Sequence, residues 1–129
     1  MNRDALQKAI EVIKEEVGAA LLATNIVATK DGTPIVGYND QPKACALFTK
    51  VIKNINIALK ESGYPKISKY YLFNLATDKI GFVIWLDDEY HWGFLVDSLK
   101  ISLGTLIHIV IPKAIEIFEE AKLQIDNPF

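Results

Sequence analysis

Hydrophobic residues recur every three or four positions in the first segment of the chain, which predicts an amphipathic helix from Asp4 to Val17. Gly18 can end this helix. A second helix is predicted from Ala44 to about Ser62, because its apolar positions also trace one face. The residues on that face are Ala44, Leu47, Phe48, Val51, Ile52, Ile55, Ala58 and Leu59.

Five shorter segments are rich in β-branched, aliphatic and aromatic residues and predict strands. Between the first two lies Asp31-Gly32, a pair typical of tight hairpins in which both central residues have positive φ. The fourth segment is apolar on both alternating sets of positions, so we expect helices on both faces of the sheet. The last three segments predict an antiparallel meander. The five segments are 21–29, 34–38, 67–76, 79–86 and 90–96.

The last part of the chain predicts a helix from Ser102 to Leu123, with Ser102 as its cap, but Pro112 lies within it. An interior proline lacks a backbone N–H and costs a helix about 3 kcal/mol. Two arrangements fit this pattern. We favour one helix kinked at Pro112; in the alternative the helix begins at Pro112, and residues 106–111 form another strand.

Length and composition predict one globular domain over residues 1–129, since half of the residues are hydrophobic and 23% are charged. Fourteen basic and sixteen acidic residues give a formal net charge of −2, so we expect no nucleic-acid partner. The single cysteine, Cys45, excludes an intramolecular disulfide. No run of about 18 uncharged apolar residues predicts a transmembrane segment. These features predict a cytoplasmic protein.

Motifs for nucleotide binding and for nucleophilic catalysis are missing, and the seven glycines stand isolated from one another. His91 and His108 each lie between apolar neighbours and are predicted to be structural. Cys45 has no histidine near it in sequence that could act as its base. The acidic cluster at 87–89 lacks the ligand spacing of a calcium loop. We therefore predict no enzymatic activity, no metal and no cofactor.

The order of the predicted elements resembles the roadblock family of dynein light chains and prokaryotic GTPase regulators. The resemblance covers nearly the whole chain and is carried by the segments Ala19–Tyr38, Ala44–Glu61 and Ile101–Phe118. It implies an α+β fold with the element order α-β-β-α-β-β-β-α and a five-stranded antiparallel sheet of strand order 2-1-5-4-3. The long second helix would cover one face of the sheet, and the N- and C-terminal helices the other. Profilin-like and longin-like domains share much of this pattern.

The resemblance also implies a homodimer or heterodimer in which the third strand and the second helix meet their counterparts. Independently, an edge strand containing Lys69–Phe73 would expose unpaired backbone and aromatic surface. On the second helix, an isoleucine framed by lysines lies on a stripe distinct from the core face, which indicates either a contact surface or a solvated face. The predicted interface residues are Lys50, Lys53, Ile57, Lys60, Lys69, Tyr70, Tyr71 and Phe73.

For function, the resemblance implies a binding module that regulates or scaffolds a small Ras-like GTPase. Thirteen of the fourteen basic residues are lysines, and the sole arginine, Arg3, lies at the N-terminal end. Such a regulator has no evident arginine finger, so it would position the GTPase's own catalytic groups or act as a scaffold. The alternative is a profilin-like sensory domain that binds a small ligand in an aromatic pocket between sheet and helix. Candidate lining residues are Trp85, Trp92, Tyr70 and Tyr71.

Overall fold

The computed structural model describes residues 3–126, and side chains as far as Leu123. It contains the predicted order of helices and strands, with a short 3₁₀ turn at Gly18–Ala20 and a final helical stretch in three consecutive parts. The helices are α1 (Arg3–Val17), α2 (Pro42–Glu61), α3 (Leu103–Thr105), a π-helical turn (Leu106–Val110) and α4 (Ile111–Asp126). The strands are β1 (Leu21–Ala28), β2 (Pro34–Tyr38), β3 (Tyr70–Leu75), β4 (Lys79–Trp85) and β5 (Tyr90–Asp97).

The five strands form one antiparallel sheet in the order β2-β1-β5-β4-β3, which confirms the predicted α+β fold. β1 and β5 pair along most of their length at the centre, and β2 and β3 form the two edges. β4 is buried on both alternating sets of residues, as its sequence predicted. Helices therefore cover both faces of the sheet at its centre.

The main hydrophobic core lies between the sheet and the pair α1 and α4. Burying apolar side chains of this kind stabilises a fold by about 1.5–3 kcal/mol each. At its centre, the indole N–H of Trp92 donates to Thr24 Oγ1 at 2.8 Å, so the largest core side chain has no unsatisfied polar atom. No helix in the described part of the chain has the length and apolarity needed to span a bilayer.

Helical backbone continues through Pro112, so the alternative in which residues 106–111 form a strand is wrong. The preceding turn is π-helical, and the N–H of Ile111 donates to the carbonyl of Leu106, five residues earlier. This wider turn leaves room for a proline ring, which clashes with the carbonyl four residues before it in a regular α-helix. Ser102 caps the stretch as predicted, because its Oγ accepts a hydrogen bond from the N–H of Thr105 at 3.1 Å.

The first hairpin differs from its prediction. β1 ends at Ala28, and the loop closes with the N–H of Ala28 donating to the carbonyl of Thr33 at 2.9 Å. Only Gly32 of the Asp31-Gly32 pair has positive φ, at 74°. A Cβ on Gly32 would lie 2.8 Å from Thr49 Oγ1 of α2, so the loop folds against that helix. Consecutive residues with positive φ occur instead in the β3–β4 turn, at Thr77 and Asp78.

Candidate functional site

The α2 helix lies on the sheet face opposite α1 and α4, and most of its surface is uncovered. Only Thr49 and Ile52 are buried along its 20 residues. Leu47, which we predicted on the core face, is 57% exposed, and Ala58 is exposed as well. Those two core assignments are wrong, because none of the described residues forms a further layer on the outer side of α2. An amphipathic helix with this much uncovered apolar surface is typical of an interface.

A buried asparagine determines where α2 begins. Asn25 of β1 is 3% exposed, and its Nδ2 donates to Asp40 Oδ1 at 2.8 Å and to the carbonyl of Val36 at 3.3 Å. Its Oδ1 accepts a hydrogen bond from the N–H of Gln41 at 3.2 Å, directly before the helix. Gly37 lies against this side chain, and a Cβ there would clash with Asn25 Nδ2. The asparagine thus ties α2 to both strands of the first hairpin.

Two of the predicted interface residues, Tyr71 and Phe73, lie beneath α2 and are half-buried. The hydroxyl of Tyr71 donates to the carbonyl of Phe48 at 3.1 Å, and the ring of Phe73 stacks on that of Phe48 with centroids 5.8 Å apart. Burial raises the pKa of Tyr71 above its usual range, so its hydroxyl stays protonated and remains a donor. These aromatic groups attach β3 to α2.

The other predicted interface residues are all exposed. Ile57 is 55% exposed, as the sequence pattern predicted. Lys53 lies one turn from buried Thr49, and its Nζ donates to the carbonyl of Lys30 at 3.0 Å. Sequence reasoning missed Leu47, whose helical spacing alone did not separate it from the core stripe. We call the surface of α2 and the adjoining β3 edge the α2–β3 face; its residues are Leu47, Lys50, Lys53, Ile57, Lys60 and Lys69. Tyr70 lies on the same strand, but its side chain is on the sheet side opposite Tyr71 and Phe73.

The outer edge of β3 has unpaired backbone groups. The carbonyl of Lys69 accepts a hydrogen bond from the N–H of Trp85 at 2.7 Å, and Tyr70 lies opposite Ile84. Because hydrogen-bonded and non-hydrogen-bonded pairs alternate in an antiparallel ladder, the N–H and C=O groups of Tyr70, Leu72 and Asn74 point away from β4. No strand of the described chain pairs with β3 on that side. Such an edge is a template for pairing with another strand.

Charge is distributed unevenly around the molecule. Residues 42–75, which include α2 and β3, contain six lysines and one glutamate, whereas the whole chain has a net charge of −2. The α2–β3 face is therefore basic, and the remainder of the chain is acidic. A basic surface with exposed apolar residues is complementary to a surface that combines acidic and apolar groups.

A cavity of about 120 Å³ separates α2 from the sheet. It exists because small residues occupy neighbouring strands on this side of the sheet, with Ala23 on β1, Gly93 on β5 and Gly81 on β4. Phe48 and Cys45 border it from α2. Burial, together with the charge of Asp40, raises the pKa of the Cys45 thiol to about 11. The thiol is therefore protonated at neutral pH, which favours a packing role for Cys45.

His91 lies at the boundary of this cavity and connects the sheet to α2. It is 3% exposed, and its Nε2 lies 3.0 Å from Thr49 Oγ1. Burial, with a smaller effect of the charge on Lys53, lowers the pKa of His91 to about 4, so the ring is neutral at physiological pH. His108 is exposed on the π-helical turn. Among residues 3–126, no three His, Cys, Asp or Glu side chains are placed to hold a metal ion.

No protein-family model and no curated protein sequence matches the chain. Its fold is similar to that of MglB from Myxococcus xanthus, with a TM-score of 0.72 over 93% of this chain and 92% of that one, at 12% identity. It is also similar to a Roadblock/LC7 domain from Streptomyces avermitilis, with a TM-score of 0.66 over 94% and 98% of the two chains, at 7% identity.

The similarity to profilin from Schizosaccharomyces pombe is weaker, with a TM-score of 0.54 over 95% of this chain and 98% of that one, at 8% identity. The strand order and the placement of the helices agree with the pattern implied by the roadblock resemblance. The chain therefore has the fold of the MglB and Roadblock/LC7 structures.

Proposed function

We propose that the chain is a single non-enzymatic roadblock-like module that forms a homodimer through its α2–β3 face. One observation carries this proposal: the unpaired edge of β3 lies beside a helix that exposes Leu47 and Ile57. Two copies that pair their β3 strands antiparallel would join their sheets and satisfy the outward backbone groups of both edges. The exposed apolar residues of α2 would then be covered in the same interface.

Asn74 offers a test of this edge pairing that leaves the subunit intact. Its side chain is exposed, and its backbone N–H points away from β4, so Asn74→Pro removes one outward donor and no hydrogen bond within the sheet. Asn74→Thr is the matched control, since threonine keeps the N–H and favours a strand. Multi-angle light scattering should give a dimer for the wild type and Asn74→Thr and a monomer for Asn74→Pro. A monomeric wild type at millimolar concentration would disprove the homodimer.

The lysines of the α2–β3 face add a second test. Pairing two copies brings like charges together, so salt should strengthen the homodimer by screening their repulsion. The double variant Lys50→Gln/Lys60→Gln should likewise form a stronger homodimer than the wild type at low salt. Sedimentation equilibrium between 50 mM and 500 mM NaCl measures the dimer dissociation constant of both proteins. A homodimer that weakens as salt rises would place its interface elsewhere on the molecule.

We propose further that the dimer works in the cytoplasm, where it binds a small Ras-like GTPase and regulates or scaffolds it. The roadblock-like fold supports this partner class. The guanidinium of Arg3 donates to the carbonyl of Ile35 on β2, at the sheet edge opposite β3. Since Arg3 is the sole arginine and lies away from the α2–β3 face, we expect no arginine finger there, and any effect on hydrolysis would come from positioning the GTPase's own groups.

Mixing the protein with a purified, GTP-loaded Ras-like GTPase from its own organism tests this partner. We expect co-elution on a sizing column. Ile57→Glu should abolish it, because a carboxylate buried between the two copies breaks the homodimer that binds the GTPase. Arg3→Ala should leave both the complex and the hydrolysis rate unchanged. If no such GTPase co-elutes and none changes its hydrolysis rate, the regulatory proposal fails while the homodimer stands.

A further inference from the structure

Two glycines occupy neighbouring positions on inner strands of the sheet, and both border the space beneath α2. Gly81 of β4 lies opposite Leu95 of β5, and Gly93 of β5 lies opposite Val83 of β4. Glycine in the interior of a strand weakens a sheet, because it loses much conformational freedom on folding and has no side chain to pack. The two positions therefore need a structural reason for their glycines.

The backbone does not supply that reason. Neither Gly81 nor Gly93 has positive φ. A Cβ on Gly81 would lie 3.5 Å from Leu75 Cδ1, and a Cβ on Gly93 would lie 3.9 Å from Val83 Cγ2, both ordinary van der Waals distances. Gly37 differs, because a Cβ there would clash with a buried side chain. What the two glycines provide is open space, and a glycine within a strand often marks a place where a ligand approaches the backbone.

The open space is the cavity of about 120 Å³ beneath α2, and most of its wall is apolar. Thr24, Asn25 and Gln41 border it, but their side chains are already hydrogen-bonded within the protein. The ring of His91 is buried and neutral. No Asp, Glu, Lys or Arg of the described chain borders the cavity. A charged or strongly polar ligand would therefore lose its hydration there without compensation.

The cavity is open on one side. Gln41 and Leu75, which belong to its wall, are exposed at the surface. Gly93 is only half-buried although it lies on the central strand β5. A small molecule can therefore enter without unfolding α2.

We propose that this cavity binds a small uncharged aromatic molecule of about the size of one benzene ring. Its volume is close to that of an engineered apolar cavity of ~150 Å³ in another protein, which binds benzene. Phe48 and Phe73 border the cavity, and their rings stack with centroids 5.8 Å apart. A ligand ring can pack against them in the offset or edge-to-face geometry that aromatic pairs prefer.

Binding of benzene to the full chain tests the site directly. Titration followed by two-dimensional amide NMR should give saturable shifts that include the resonances of Gly81, Gly93 and Cys45. The site uses the side of α2 that faces the sheet, so this result does not depend on the proposed dimer or GTPase.

Two further compounds test the chemistry of the ligand. Benzoate has the same ring with a charge, and it should show no saturable binding in this cavity. Cyclohexane has as many carbons as benzene but no aromatic faces, and it should bind more weakly than benzene.

A double variant, Gly81→Ala/Gly93→Ala, tests why glycine occupies these positions. It should weaken benzene binding at least about tenfold, because two methyl groups take up space that the ring needs. The same variant should raise the melting temperature by about 3 °C or more, because alanine replaces strand glycine without strain. Gly104→Ala, on exposed α3, is the matched control and should bind benzene like the wild type.

The proposal is overturned if the wild type shows no saturable benzene shifts, or if benzoate or cyclohexane binds as tightly as benzene. It is also overturned if the double variant binds benzene as the wild type does, because the ring would then lie elsewhere. A double variant that is unfolded, or that melts below the wild type, would show that the fold itself requires both glycines. The reason for assigning their space to a ligand would then be gone.

Discussion

Removing the buried imidazole of His91 should change how the stability of this protein depends on pH. Burial, assisted by the charge on Lys53, lowers the pKa of His91 to about 4, against an ordinary value of about 6.5 in the unfolded chain. Below pH ~6.5 the unfolded state therefore binds a proton that the folded state does not. Stability must fall as the pH drops from ~6.5 toward ~4, and above that window His91 imposes no penalty.

The size of this effect follows from the difference between the two pKa values. Its full extent is about 3 kcal/mol below pH ~4, and at pH 5 it amounts to about 2 kcal/mol. Carboxylates titrate in the same range, so the useful quantity is a difference between two proteins. His91→Phe keeps the ring volume and leaves Thr49 Oγ1 bonded to the carbonyl of Cys45.

Urea unfolding at pH 7.5 and pH 5.0 measures this difference. Between these two pH values, the wild type should lose about 2 kcal/mol more unfolding free energy than His91→Phe does. His108→Gln is the control, because it removes an exposed imidazole on the π-helical turn instead of the buried one. If the wild type and His91→Phe lose the same free energy, His91 is not the buried neutral group described here.

Asn25→Ala should lower the free energy of unfolding by about 2–4 kcal/mol in urea denaturation, because it removes three hydrogen bonds and leaves the N–H of Gln41 without its acceptor; a loss below 1 kcal/mol would show that α2 is anchored otherwise. Gly37→Ala should cost at least ~2 kcal/mol in the same assay, since its Cβ meets Asn25 Nδ2, whereas exposed Gly104→Ala should not destabilise the protein. Burial acts to raise the pKa of Asp87, but hydrogen bonds from Lys122 and two backbone N–H groups outweigh it and hold that pKa below its usual value. Asp87→Asn should therefore cost less than ~1 kcal/mol at pH 7, and this cost should shrink as the pH falls through the lowered pKa of the wild-type carboxyl; a cost that does not change with pH would argue against the ion pair.

The pattern of apolar positions predicted the elements of this fold well, because secondary structure depends on spacing that can be read locally. The period of α1 and the double-sided burial of β4 are properties of neighbouring residues, and both were confirmed. The roadblock pattern then supplied the strand order and the placement of the helices. Local signals were less informative at the turns. The Asp31-Gly32 loop folds against α2, and the pair of consecutive residues with positive φ is Thr77 and Asp78 instead.

The candidate sites are formed by contacts between residues that lie far apart in the sequence. His91 and Thr49 are 42 residues apart, and the separation between Asn25 and Asp40 is 15, so neither pair has a sequence signature. The cavity arises because the strand register places Ala23, Gly81 and Gly93 on the same side of the sheet beneath one helix. The sequence by itself thus determined the elements and their order, since these follow from residue periodicity. Only the tertiary structure decided which polar groups pair and where space is left open, because those depend on how the strands align and how α2 lies on them.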